Sequence, residues 1–268
     1  TAEPPYAFFV PEGGRDPVAV VELMRRIAFT GVRVHQLERA VVHEGMAHPA
    51  GTWVIPMDQE FAELVRQLLG VQTYPDLREF PDGPLEQPYD AAGWTLPYQM
   101  GVHVVAAGAP LGEEVRSAMT LVEGETVDWK EGELAHDAAP FDSVPGLGFD
   151  THANAAGILP PAGSLTGSGA ALAIDAGQNN VYRAINDAWD NGARVVLDGS
   201  QFVVTGLSDA AMRDLVDRYR LRASRAREGR THISRPRIGL YRPWNPSMDE
   251  GWTRWLFEIY GFEFVNIR

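Results

Sequence analysis

Cysteine is absent from the 268 residues, which excludes disulfides, thiolate metal ligands and a thiol nucleophile while leaving the compartment open. Uninterrupted apolar runs are too short to span a bilayer. Basic charge is in deficit: 23 Lys and Arg against 36 Asp and Glu give a formal net charge of −13. A nucleic-acid or anionic-membrane partner is therefore not expected, because either needs a basic face. Arg218 to Arg237 runs against the trend with eight arginines. Without a series of interleaved aromatics for base stacking, it reads as a solvated helix end and linker. No G-x-S-x-G elbow occurs, and the glycine-rich Gly163 to Gly169 precedes a strand instead of following one, so it reads as a flexible linker and not a phosphate cradle. The first residue is Thr1, not a start methionine, which fits an excised or processed segment.

An apolar fraction of 45% is ordinary for a globular protein. Tyr6 to Val10 has the composition of a buried strand. Asp16 and Pro17 form an N-cap and N1 pair before a helix whose apolar face is Val20, Val21, Met24, Ile27 and Ala28. Val32 to Val42 and Gly51 to Met57 read as strands, and Asp58 as the cap of a helix carrying Phe61, Leu64, Val65, Leu68 and Leu69. The same order recurs downstream. Ala170 to Ile174 is a strand, Asn180 to Gly192 a helix, Ala193 to Leu197 and Gln201 to Thr205 a strand pair, and Ser208 caps a helix with Met212, Leu215, Val216 and Tyr219 inward. We read this as an internally duplicated strand–helix–strand–strand–helix unit. The fold expected is α/β, with mostly parallel, flavodoxin-like three-layer sheets and a long loop-rich insertion. Its parts are a first repeat over 1–70, an insertion with short strands over 71–160, a second repeat over 161–228, and a linker with the start of a further βαβ unit over 229–268. In that last part Arg237 to Tyr241 is a strand and Ser247 with Glu250 a capping box. Trp252, Trp255, Leu256 and Ile259 give a helix one buried face, Gly261 ends it, and Phe262 to Ile267 is a second strand.

Candidate chemistry is sparse. His35 and Glu38 match H-x-x-E, but residues three apart on a strand point to opposite faces. His43-Glu44-Gly45-Met46-Ala47-His48 resembles H-E-x-x-H with one residue too many, so on a helix the imidazoles would diverge by about 140°. A hairpin metal clip with His103 is the alternative geometry, and no metal ligand is assigned. Two loops fall beyond the carboxyl ends of strands, where open parallel sheets bind ligands. One carries Gln178, Asn179 and Asn180, the other Trp244, Asn245, Asp249, Glu250 and Trp252. Asp90, Trp94, Tyr98 and Gln99 make a polar-aromatic group of the kind that lines pockets or interfaces. Capping and packing account for the acids and asparagines equally well.

Four stretches together carry a family resemblance: WVIPMDQEFAELVRQLL with its following YPDLR, PYDAAGWTLPYQMGV, NNVYRAINDAWDNGARV, and RPRIGLYRPWNPSMDEGWTRWLFEIYGFEF. They resemble the region that follows the catalytic domain in large bacterial proteins of the zinc carboxypeptidase (carboxypeptidase A-like) family, a region of class I glutamine amidotransferase-like, flavodoxin-like type. The likeness implies an extracytoplasmic, non-catalytic accessory region that packs against the peptidase domain of the same polypeptide. Zinc is expected in that other domain, and no cofactor, catalytic residue or metal ligand is transferred to this chain. A glutamine amidotransferase needs a Cys-His-Glu triad, which a chain without cysteine lacks. Two other functions stand beside this one: a small-molecule or peptide-binding α/β module, and an independent hydrolase or amidase using Asp, Glu and His loops.

Overall fold

The computed structural model describes residues 3–71, 73, 75–87, 95–127, 149–227 and 232–268. The chain divides into two compact units, Thr1–Glu131 with Gly148–Leu159, and Gly132–Leu147 with Pro160–Arg268.

In the first unit β1 (Ala7–Val10), α1 (Pro17–Phe29) and β2 (His35–Leu37) are followed by a hairpin of β3 (Val41–His43) and β4 (Met46–His48). Then come β5 (Trp53–Pro56), α2 (Ala62–Leu69), α3 (Leu96–Met100), β6 (Val105–Ala106), α4 (Glu113–Arg116) and β7 (Met119–Leu121), with a 3₁₀ turn at Phe149–Thr151 and α5 (Ala153–Gly157) last. The sheet runs β6-β1-β5-β2-β7, every neighbouring pair antiparallel. All four residues of β1 are buried because both faces of the strand are covered. Phe8 and Val10 join Leu23, Met24 and Ile27 of α1, while Ala7 and Phe9 meet Val41, Val54 and Leu111 on the opposite side. Asp16 starts α1 as expected, its carboxylate accepting from Val18 N at 3.0 Å and Ala19 N at 3.3 Å.

In the second unit β8 (Ser164–Thr166), β9 (Ala171–Asp175), α6 (Asn180–Asp190), β10 (Arg194–Asp198), β11 (Gln201–Thr205), α7 (Asp209–Arg218), β12 (Arg222–Ala226) and β13 (His232–Ile233) form a sheet ordered β13-β10-β11-β9-β12-β8. Leu172, Ile174, Val195 and Val204 pack on Val181 and Ile185 of α6 and on Met212 and Leu215 of α7. A parallel pair, β14 (Ile238–Tyr241) and β15 (Phe264–Ile267), flanks α8 (Met248–Ile259).

Leaving aside the β3–β4 hairpin, the short helix α3 and the edge strands β7, β8 and β13, both units run strand–helix–strand–strand–helix–strand, and in both the third of these strands lies between the first two: β5 between β1 and β2, β11 between β9 and β10. This is the split β-α-β, ferredoxin-like arrangement. The architecture is mixed α/β, but the expected mostly parallel, flavodoxin-like sheets are corrected. Parallel neighbours among the described strands are confined to β8–β12 and β14–β15. The reason lies in the connections. The β10–β11 turn joins Asp198 directly to its register partner Gln201 across two residues, and so short a link can return the chain only antiparallel.

Other expectations change locally. Val32 to Val42 is broken between β2 and β3, and Asp58 caps no helix: α2 begins at Ala62, while Asp58 pairs with Arg116 at 2.8 Å. The supposed linker Gly163 to Gly169 contains β8, and a Cβ on Gly163 would fall 2.4 Å from Val216 O, so glycine there serves close packing. Part of the loop-rich insertion is core, with Phe149, Ala155 and Ile158 buried against α1. Gly124 and Gly157 let the two backbones touch there, since a Cβ on Gly157 would lie 2.5 Å from Glu123 C. The remainder of the expected loop, 128–148, lies outside the described residues.

Ile174 is fully buried between the helices and the sheet of the second unit. Ile174→Ala is expected to destabilise that unit by about 2–5 kcal/mol in chemical denaturation. Leu197→Ala, on an exposed side chain of β10, should stay within about 0.5 kcal/mol.

Candidate functional site

Of the sequence-derived candidates, Asp90 and Trp94 lie outside the described residues. Tyr98 and Gln99 sit exposed on α3 of the first unit. All the others belong to the second unit, where they fall into two groups with different fates.

Gln178 and Asn180 are buried. The Gln178 side chain accepts from Arg222 N and donates to Arg222 O, each at 2.8 Å, and Asn180 Nδ2 donates to Tyr219 O at 3.1 Å. Both amides therefore tie the β9–α6 turn to the α7–β12 connection and are engaged with backbone; Asn179 between them is exposed.

The second group occupies the β14–α8–β15 arm. Ser247 Oγ accepts from Glu250 N at 3.4 Å, the serine half of the expected capping box, while Arg254 joins the Glu250 carboxylate to Asn266 of β15. Phe257 packs against Phe262 and Phe264, ring centroids 5.6 Å apart in each case. At its C-terminal end α8 is held by α6: Arg183 Nε donates to Ile259 O at 3.0 Å and Asn186 Nδ2 to Tyr260 O at 2.8 Å. Arg235 adds ion pairs to Asp190 and Glu263. The expected buried face does not form. No residue of α8 is buried; Trp255 and Ile259 are half-buried, and Trp252 is 64% exposed. A two-stranded ribbon with strands about 4.8 Å apart is narrower than a helix about 10 Å across, so the apolar stripe overhangs it. On the far side of the ribbon Tyr241, Val265 and Ile267 are exposed, and in the loop before α8 Trp244 is 95% exposed. Asn245 and Asp249 are exposed beside it.

Tyr241, Arg242, Pro243, Trp244 and Arg268 line a cavity of about 490 Å³ at the carboxyl ends of β14 and β15. The Arg242 and Arg268 guanidiniums have no ion pair or hydrogen bond among the described residues. The arginine run behaves otherwise. Arg218 pairs with Asp187 at 2.9 Å and with Asp214, and Arg225 with Asp209 at 2.7 Å. Burial, then the Asp187 charge, push the Tyr219 phenol up, and the hydrogen bond from Arg225 holds the Asp209 carboxyl down. Acidic partners thus answer these positive charges within the unit itself.

The H-E-G-M-A-H segment makes a structure that helical spacing cannot reveal. It is the β3–β4 hairpin, turning at Glu44 and Gly45 with φ of 49° and 77°, the positive values that two-residue hairpin turns require. His43, Met46 and His48 line a cavity of about 340 Å³ floored by Phe9, and His103 is not among its walls. His43 Nε2 lies 3.5 Å from Glu44 Oε2, which itself accepts from Gly108 N at 2.7 Å. No hydroxyl or amine side chain lines this cavity, so its His–Glu contact has no protein nucleophile to activate. Glu38 lies past the end of β2, so the H-x-x-E pair of His35 shares no element. Among the described residues no three His, Cys, Asp or Glu side chains are arranged to hold a metal ion, and no helix is long and apolar enough to cross a membrane.

Comparison of the chain with protein-family models, with curated proteins and with solved structures finds no match. What fold and site define is an α/β protein with two split β-α-β units and an arm whose apolar surface is open.

Burial holds the His48 imidazole below its usual 6.5, reinforced by His43; burial and then Arg33 do the same to His35, with Asp58 opposing. Both folded-state values are depressed, so their contribution is complete above pH 6.5 and is lost as pH falls through the lower folded values. The thermal midpoint is expected to drop on acidification below pH 6.5, and His48→Phe should flatten that slope in calorimetry across pH 5–7.5.

Proposed function

We propose that this chain is a non-catalytic accessory and interaction region of a zinc carboxypeptidase-like protein. The zinc and the peptide-hydrolysing groups belong to a separate peptidase domain of the same polypeptide, acting outside the cytoplasm. The observation that supports this is the uncovered apolar surface of β14–α8–β15, spread over Tyr241, Trp244, Met248, Trp252, Val265 and Ile267. Aromatic side chains of this size hide about 150–250 Å² each when covered. Summed over both sides of the ribbon and the loop before α8, the open apolar area is on the order of 800 Å². The resemblance of the four sequence stretches supplies the parent, and the arm supplies the contact.

The expected outcome is that the chain alone, given zinc, releases no C-terminal residues from peptides, while the whole polypeptide does. Added in trans, the chain should bind the peptidase domain in calorimetry, and Trp252→Ala should weaken binding by about 2 kcal/mol, as for a central tryptophan anchor. Its unfolding midpoint should stay unchanged, because Trp252 is exposed in the chain by itself. Hydrolysis by the chain alone, or full affinity in a Trp244→Ala, Trp252→Ala double variant, overturns the reading.

One observation favours a small-molecule or peptide-binding role: Arg242 and Arg268, whose guanidiniums have no ion pair among the described residues, beside Tyr241 and Trp244. That role predicts binding of short carboxylate-bearing peptides to the chain alone, lost in Arg242→Ala, with tryptophan fluorescence as the readout.

A further inference from the structure

Three metal-competent side chains in the first unit meet on one face of a hairpin. In β3–β4, Val41 pairs with His48 and His43 with Met46, so by the period of two these four residues point the same way. Directly opposite residues in such a pair have Cβ atoms about 5 Å apart and diagonal ones about 7 Å, within reach of one ion. His43, Met46 and His48 all line the same cavity.

The imidazoles are short of partners. His43 Nε2 is buried without a hydrogen bond. His48 is 3% exposed and stacks on Phe9 with ring centroids 4.1 Å apart, and His43 lies 5.5 Å from the same ring. Among the described residues neither imidazole makes a hydrogen bond. A buried ring nitrogen left in this way, here His43 Nε2, is uncommon and calls for a ligand.

We propose that His43, Met46 and His48 form a binding site for a soft monovalent metal ion, copper(I). Two neutral imidazoles and a thioether are the donors that select copper(I) over harder divalent ions. The surroundings select low charge. Phe9, Val105, Ala106 and Ala107 make the cavity wall apolar, and the cost of desolvating an ion there rises steeply with its charge. The Glu44 carboxylate also lines the cavity, held by Gly108 N and 3.5 Å from His43 Nε2, where it balances a single positive charge. This site lies in the first unit and is independent of the interaction role proposed for the arm.

The test uses the full chain under anaerobic conditions, titrated with copper(I) against a chromophoric copper(I) chelator. One equivalent should leave the chelator, and X-ray absorption of the loaded chain should show a sulfur neighbour. Met46→Leu should weaken capture on the order of 10- to 100-fold, the range seen even for outer partners of metal sites, and should remove the sulfur signal. Met46 is 48% exposed, so that variant keeps the fold, which circular dichroism checks. His43→Phe, which retains an aromatic contact to Phe9, should weaken capture to a similar degree. Failure to withdraw copper from the chelator, or equal capture by wild type and both variants, overturns the proposal. Equal uptake of zinc in direct competition overturns the choice of a soft monovalent ion.

Discussion

The insertion of one strand between two others is the constraint on which most of this molecule depends. In each unit a helix carries the chain from the first strand to the second, leaving a gap one strand wide, and the third strand fills it antiparallel to both. That strand then lies inside the sheet, where its backbone groups are paired on both edges. β5 shows the consequence: all four of its residues are buried, Trp53 and Ile55 toward α1 and Val54 toward the hairpin side. The hairpin face that holds His43 and His48 exists because β1 and β5 present Phe9 and Val54 on the side away from the helices.

The arm obeys a different balance. Its ties to α6 are polar and local, two side-chain donors on the last carbonyls of α8 and an arginine between acids. Such contacts fix direction while burying little apolar area. Hydrophobic stabilisation scales with the area removed from water, at about 25 cal/mol per Å². A helix on two strands therefore leaves much of that stabilisation unrealised until something covers it. The charges nearby behave differently, because Arg218, Arg225 and Arg235 are answered by Asp187, Asp214, Asp209 and Asp190, whereas the Arg242 and Arg268 guanidiniums have no ion pair among the described residues.

Much of the element order was legible in local pattern. The Asp16 and Ser247 caps, the α7 face with Met212, Leu215 and Val216, and the strand–helix–strand of the last residues depend on neighbours within a turn or two, so a single stretch carries the information. The candidate sites were less legible. Gln178 and Asn180 look like ligand-binding amides in sequence, and only their partners 39 to 44 positions away show that they hold backbone. His43 and His48 were read against a helical template, with a hairpin clip to His103 as the alternative; a Glu-Gly turn at positive φ puts them on one face with Met46 instead, and His103 is not in that cavity.

By itself the sequence determined the order of most helices and strands, which sides of most helices are apolar, and that the chain lacks thiol chemistry, since those properties follow from periodicity, capping and composition. Tertiary structure alone decided which strands are neighbours, that the sheets are antiparallel, that Gly163 sits beside Val216 within a packed sheet edge, and that the stripe on α8 stays uncovered. Each of these is set by pairings and areas between residues far apart in the chain, and a pattern repeating every two or four residues contains no record of them.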